Sequence, residues 1–107
     1  MSKTATIRAR IDPLLKEEVE NILQTRQFER DIRLMERRGK EIEKLRGVMT
    51  QLIEEQTLSE RLRDHSLIGN WRGRRECHIE PNWLLIYKLE EGEIIFERTG
   101  THADLFE

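Results

Sequence analysis

The apolar run at residues 83–89 (WLLIYKL) constrains the fold of this chain more than any other segment. Only Lys88 interrupts it, so both faces of the segment need cover, as in a central strand. Pro81 and Asn82 supply a turn before it, and Glu91 with Gly92 supplies a hairpin turn after it. Strand candidates at residues 75–79 and 93–98 flank these turns. The segment therefore predicts a small, mainly antiparallel sheet.

Two helical patterns precede the sheet. Phe28, Ile32 and Met35 recur at the spacing of one helix face, and Gly39 is typical of a helix end. A second stripe follows and consists of Ile42, Leu45, Met49 and Leu52. Residues 57–70 keep no period and are predicted as a loop, and residues 101–106 as a last helical turn. We expect an α+β fold in which an antiparallel helical hairpin packs on the sheet.

The first 24 residues have a different pattern and are predicted to be a strand–helix appendage, with residues 25–107 as the main domain. Apolar and polar residues alternate over residues 4–11, as in a strand. Asp12 and Pro13 then suit a helix start, and helical spacing continues to about Leu23. A lone strand would expose its apolar face. It could pair with the same strand of a second copy, giving a homodimer, or fold back onto its own sheet.

Charge and cysteine content narrow the function classes. Charged residues make up 37% of the 107, but the net charge is only −2, so the total charge does not indicate a nucleic-acid binder. Positive charge is local, at Arg72, Arg74 and Arg75. A single cysteine excludes an internal disulfide. Because no apolar run approaches the length of a membrane span, we expect a soluble, cytoplasmic protein that contacts no membrane.

All three histidines lie within residues 64–106, together with both tryptophans and several arginines. Histidine transfers protons near neutral pH, arginine binds phosphate and aromatic rings stack on bases. A metal-free RNA-cleaving site needs these three chemistries together. The gaps of thirteen and twenty-four residues between His65, His78 and His102 do not have the spacing of a zinc site, so we expect no metal. Cys77 is predicted to be a buried residue, and core packing is the leading alternative for Trp83.

From about Thr25 the chain resembles the YafQ-type toxins of the RelE/ParE superfamily. The resemblance covers residues 25–107 and rests on DHSL at 64–67, GNWRG at 69–73, ECHIEP at 76–81, WLLIYK at 83–88 and ERTGTH at 97–102, followed by Leu105 and Phe106. It implies a bacterial mRNA interferase. Such a toxin enters the ribosomal A site, cuts the messenger there without metal or other cofactor, and is restrained by a cognate antitoxin.

The resemblance also assigns site residues. His65, His78, His102 and Phe106 stand at catalytic positions, and Trp83 and Arg98 fit strand positions of the family. Asn82 stands where the family usually has an aspartate, and unlike a carboxylate it cannot accept a proton.

The expected reaction is attack of the messenger's 2′-hydroxyl on the adjacent phosphate. His102 would be the general acid and His65 or His78 the base. Further residues are expected to contact the RNA, through charge at the phosphate or through stacking at the base, namely Arg74, Arg75, Arg98, Trp71 and Phe106. Asn82 and Trp83 are also expected to be RNA-binding residues.

Residues 1–24 instead resemble the start of a DinJ/RelB-type antitoxin, in which Thr4, Thr6, Arg8 and Arg10 would face DNA. The second helix of that DNA-binding module is absent. The toxin body would also lack its first strand, unless residues 21–25 supply it. The alternative function is therefore a catalytically weakened antitoxin–toxin fusion that acts as a dimeric DNA-binding or antitoxin-binding module.

Overall fold

A five-stranded sheet with three helices makes up the part of the chain that the computed structural model describes, residues 21–107. The elements in chain order are β1 (Asn21–Gln24), α1 (Arg26–Arg37), α2 (Ile42–Ile53), β2 (His65–Ser66), β3 (Arg75–Glu80), β4 (Trp83–Glu90), β5 (Glu93–Gly100) and α3 (His102–Phe106). The predicted α+β class is confirmed. Within residues 21–107 no helix is both long and apolar enough to span a membrane.

The predicted central strand is confirmed, because β4 is the middle strand of the order β1-β5-β4-β3-β2. It pairs antiparallel with β3 and with β5, and β2 pairs antiparallel with β3. Only β1 runs parallel to its neighbour, β5. The loop predicted over residues 57–70 is wrong at His65 and Ser66, which form the short edge strand β2.

Residues 21–23 were predicted to end a helix, and the structure places them in strand β1 instead. Asn21 pairs with Glu93 and Gln24 with Phe96, and the amide of Asn21 donates to the carbonyl of Gly92 at 3.0 Å. Pairing with a distant strand has overridden the local helical spacing. Residues 21–24 thus supply a first strand to the sheet. The strand and helix predicted over residues 4–20, with Thr4, Thr6 and Arg8, lie outside the described residues.

The helical hairpin covers one face of the sheet. Thr25 caps α1, since its hydroxyl accepts a hydrogen bond from the amide of Phe28 at 2.9 Å. The Phe28 ring stacks on Phe96 of β5 with centroids 5.8 Å apart. The core on this face is completed by buried residues of α1, α2, β3 and β4, including Met35, Leu45, Val48, Cys77, Leu85 and Tyr87. Burying each large apolar side chain contributes about 1.5–3 kcal/mol.

The opposite face of β4 has its own small core. Leu84 and Ile86 pack there against Leu105 of α3, with Leu67 and Trp71 at the periphery. Alternation along the strand sends successive side chains to opposite faces, which explains why the whole run is apolar. This second core fixes α3 and the loop after β2 over one face of the sheet.

Candidate active site

The three histidines come from three different elements and lie in one row. His65 is in β2, His78 in β3 and His102 at the start of α3. The ring centroids of His65 and His78 are 6.4 Å apart, and those of His78 and His102 are 6.2 Å apart. Neighbouring rings are therefore close enough to act on the same bound group.

Two aromatic residues extend this histidine row. Phe106 follows His102 by one helical turn on α3, so the two side chains share a face, and their centroids are 5.8 Å apart. Trp71 meets the Phe106 ring edge-on at 6.1 Å. Phe106 is 39% exposed, which leaves its ring open to stack on a base.

Glu76 joins the histidine row, although sequence reasoning did not single it out. Its Oε2 lies 3.6 Å from Nε2 of His65 and 3.4 Å from Nε2 of His78, and the residue is only 4% exposed. A buried carboxylate needs a charged or hydrogen-bonding partner, and the two imidazole rings are placed to supply it. The period of two could have found it, because Glu76 and His78 share a strand face and Glu76 pairs with His65.

Backbone carbonyls orient the two rings that face Glu76. Nδ1 of His65 donates to the carbonyl of Arg63 at 2.7 Å, and Nδ1 of His78 donates to that of Pro81 at 3.4 Å. Arg63 has a φ of 52°, in the left-handed region, at the end of a short 3-10 turn. With Nδ1 donating to a carbonyl, Nε2 is the ring nitrogen that can take up a proton, and it faces the carboxylate of Glu76. Both rings are therefore set up as bases through Nε2.

The position of His102 depends on the turn between β3 and β4. Oδ1 of Asn82 accepts a hydrogen bond from the backbone amide of His102 at 3.1 Å. The same helix start carries a capping box, in which Thr101 and Asp104 bind each other's amides at 3.1 and 2.9 Å. His102 is therefore held through its backbone while its side chain stays exposed.

Arg38 anchors α3 to the end of α1. Its guanidinium donates to both oxygens of Asp104, at 2.7 and 3.2 Å. These bonds, with the Thr101 amide, lower the pKa of Asp104 to about 2. Gly100 makes room for this carboxylate, since a Cβ at that position would lie 2.9 Å from Oδ2 of Asp104.

The three arginines predicted to contact phosphate are each paired with a carboxylate. Arg74 binds Glu97 at 3.0 Å, Arg75 binds Asp64 at 3.2 Å, and Arg98 binds Asp31 at 2.8 Å. Arg75 also donates to the hydroxyl of Ser66 at 3.0 Å, so it ties the strand of His65 to β3. These pairs give the arginines an anchoring role in the structure.

Trp83 and Cys77 lie apart from the histidine row, in the core on the helical side. Trp83 is fully buried, and its indole N–H donates to the hydroxyl of Thr99 at 2.9 Å. This placement favours core packing over direct contact with RNA. Cys77 is buried as predicted, and burial raises the pKa of its thiol to about 12, which disfavours the reactive thiolate. Within residues 21–107 no three His, Cys, Asp or Glu side chains are grouped so as to hold a metal ion.

This fold and site define a toxin of a type II toxin–antitoxin system, because the family model described as "Bacterial toxin of type II toxin-antitoxin system, YafQ" matches residues 20–107. The chain belongs to the YafQ toxin family, as the resemblance of residues 25–107 predicted. The match begins before β1, so it includes the strand that the sequence prediction assigned to the appendage. The comparisons do not support the predicted antitoxin origin of residues 1–24.

Relatives and solved structures agree with this assignment. The "mRNA interferase toxin YafQ" of Escherichia coli K12 is 47% identical over 81 residues, which cover 75% of this chain and 88% of the relative. The crystal structure of YafQ from E. coli BL21(DE3) superposes with a TM-score of 0.78 at 44% identity, covering 80% of this chain and 97% of that one. The E. coli DinJ–YafQ complex superposes with a TM-score of 0.76 at 45% identity and the same coverage.

Proposed function

We propose that this toxin is an mRNA interferase, an endoribonuclease that cuts the messenger in the ribosomal A site. The observation that carries the proposal is the histidine row with the buried Glu76 carboxylate, in a chain of the YafQ family. Relatives in this family are named mRNA interferases. Because one relative was crystallised with DinJ, we also propose that a cognate antitoxin binds this chain.

The reaction requires one base and one acid on opposite sides of a phosphate. Nε2 of His65 or His78 takes the proton from the 2′-hydroxyl, and Glu76 stabilises the resulting imidazolium. The 2′-oxygen then bonds to phosphorus while the bond from phosphorus to the 5′-oxygen breaks. His102 gives the leaving 5′-oxygen its proton. The products are a 2′,3′-cyclic phosphate and a 5′-hydroxyl.

The remaining residues of the proposed site position the RNA. Phe106 and Trp71 offer two ring faces beyond His102 on which a base at the cut stacks. Arg74 and Arg75 keep about a third of their side-chain surface exposed, so they add positive charge beside their carboxylate partners. Arg98 is held by two bonds to Asp31, which neutralise its charge, so it anchors β5 to α1.

The test is induction of the chain in a bacterial host, with mapping of messenger 5′ ends. The parent should produce new 5′-hydroxyl ends within translated regions and arrest growth. His102→Ala should lower cleavage by about 10²–10⁴-fold, the usual contribution of general acid–base catalysis, while the protein stays folded. Ala103→Gln is the matched control, because it changes an exposed neighbour on α3 outside the histidine row. Cleavage by His102→Ala at the parental rate would reject the assigned acid.

The alternative, a dimeric DNA-binding module, depends on Thr4, Thr6 and Arg8 and on pairing of residues 4–11 between two copies. These residues lie outside the described part of the chain, and no contact among residues 21–107 favours that function. A gel shift on the chain's own promoter tests it independently of messenger cleavage.

A further inference from the structure

A groove of about 670 Å³ lies beside the histidine row, between α2 and the C-terminal end of β3. Its size is within the range of ligand-binding sites. His78 and Pro81 form one end, so the groove is continuous with the proposed active site. The other walls include Lys44 and Val48 from α2, with Arg61 and Arg63 from the 3-10 turn before β2.

The acidic side chains of this groove are already neutralised. The two oxygens of Glu80 accept from Lys40 at 2.7 Å and from Lys44 at 2.8 Å, and these bonds lower the pKa of the Glu80 carboxyl. Glu43 pairs with Arg46 along α2. The groove therefore has no acidic group left to repel an anion strongly.

Two arginines of the groove differ from the arginines of the site. Arg61 and Arg63 are exposed, and neither has a carboxylate within ion-pair distance among residues 21–107. Their guanidinium forks can bind phosphate with two parallel hydrogen bonds. Arg63 is also connected to the site through its backbone, since its carbonyl holds the ring of His65.

We infer that this groove binds the sugar–phosphate backbone of the RNA strand that continues from the cut, with Arg61 and Arg63 on the phosphates. The inference rests on the proposed function. A strand cut beside His78 must run on past the site, and the groove is a positively charged path that begins at that residue. An acidic segment of a protein partner could also bind these arginines. However, a protein partner would not require a groove that opens directly onto His78, whereas an RNA strand cut at His78 would.

The test is the salt dependence of binding to a single-stranded RNA oligonucleotide whose 2′-hydroxyls are methylated, so that it cannot be cut. The variants are Arg61→Gln and Arg63→Gln. Arg33→Gln removes the same charge from an exposed position on α1, away from the groove, and serves as the matched control. Each groove variant should lower the slope of log affinity against log salt by roughly 0.7, the value for one phosphate contact on a single strand. The control should leave the slope unchanged.

Groove variants that match Arg33→Gln, or a parent that does not bind the oligonucleotide, would overturn the inference. Groove variants that keep the parental slope but lose affinity for the co-expressed antitoxin would also overturn it, because the groove would then bind protein. Cleavage of translated messenger by the parent is measured separately. Its absence would reject the proposed enzyme, and the slopes would still decide whether the groove binds RNA.

Discussion

Asn82 holds His102 by its backbone, because the side-chain oxygen of Asn82 accepts a hydrogen bond from the amide of His102 at 3.1 Å. An aspartate could make the same bond, since its carboxylate offers an equivalent oxygen. The asparagine therefore preserves the position of α3 relative to the turn after β3. A carboxylate at position 82 would add a negative charge near the start of α3.

This relationship gives opposite expectations for two substitutions of Asn82. Asn82→Asp should keep the bond and raise the cleavage rate, because a carboxylate at position 82, unlike the amide, can accept a proton. Asn82→Ala should lower the cleavage rate and destabilise the fold by about 0.5–1.5 kcal/mol, the usual worth of one hydrogen bond. Rates on translated messenger and thermal melts measure both effects. An Asp variant no faster than the parent would show that position 82 acts only through the bond.

Glu76→Gln tests the shared carboxylate of the histidine row. Glutamine keeps the size of the side chain but removes the negative charge that faces both imidazole rings. We expect the cleavage rate to fall and its dependence on pH to differ from that of the parent, with the protein still folded. Glu91→Gln, in the exposed β4–β5 turn, is the charge-matched control. A rate and pH profile like those of the control would remove Glu76 from the mechanism.

Local patterns predicted the elements whose partners are close in sequence. The strands β3 to β5 follow from one apolar run and two turns, and both helices follow from their apolar stripes. Residues 21–23 were predicted to end a helix, and a first strand at residues 21–25 was kept only as the alternative. The parallel pairing of β1 with β5 bridges about seventy residues, and nothing local records such a partner.

The residue types of the candidate site could be predicted from the sequence, but most of the contacts among them could not. The three histidines, Phe106 and Trp71 do lie in one row. The partner of Arg98 is Asp31, which is remote in sequence, so no local motif could show that this arginine is already paired. Glu76 was missed because an acidic residue in a strand is ordinarily read as solvent-facing, whereas here two histidines cover it.

The ion pair of Asp104 with Arg38 predicts a loss of stability in acid. The pKa of Asp104 is lowered from 3.8 to about 2, chiefly by the hydrogen bonds from Arg38. A lowered carboxyl pKa stabilises the fold above the unfolded-state value, and this contribution disappears as the pH falls from about 4 to about 2. Asp104→Asn should therefore be less stable than the parent at pH 7, with the difference shrinking across that window. Urea unfolding at several pH values measures it, and a constant difference would contradict the linkage.

Trp83→Phe separates two roles for Trp83, core packing and contact with RNA. If it is a core residue, Trp83→Phe removes the donor to Thr99 and leaves a buried hydroxyl acceptor unsatisfied, at a cost of roughly 1–3 kcal/mol in unfolding free energy. Thr99 would keep its own bond to the carbonyl of Leu84 at 2.7 Å, so the strand pairing should survive.

The cleavage rate of the folded Trp83→Phe variant should then equal that of the parent. Trp71→Phe makes the same substitution at the other tryptophan and is the contrasting variant. Trp71 packs at the edge of the second core and contacts Phe106 beside the histidine row. We expect that substitution to weaken cleavage with little change in stability. If Trp83→Phe instead slows cleavage while its unfolding free energy matches the parent's, Trp83 acts on the RNA and the core-packing role is wrong.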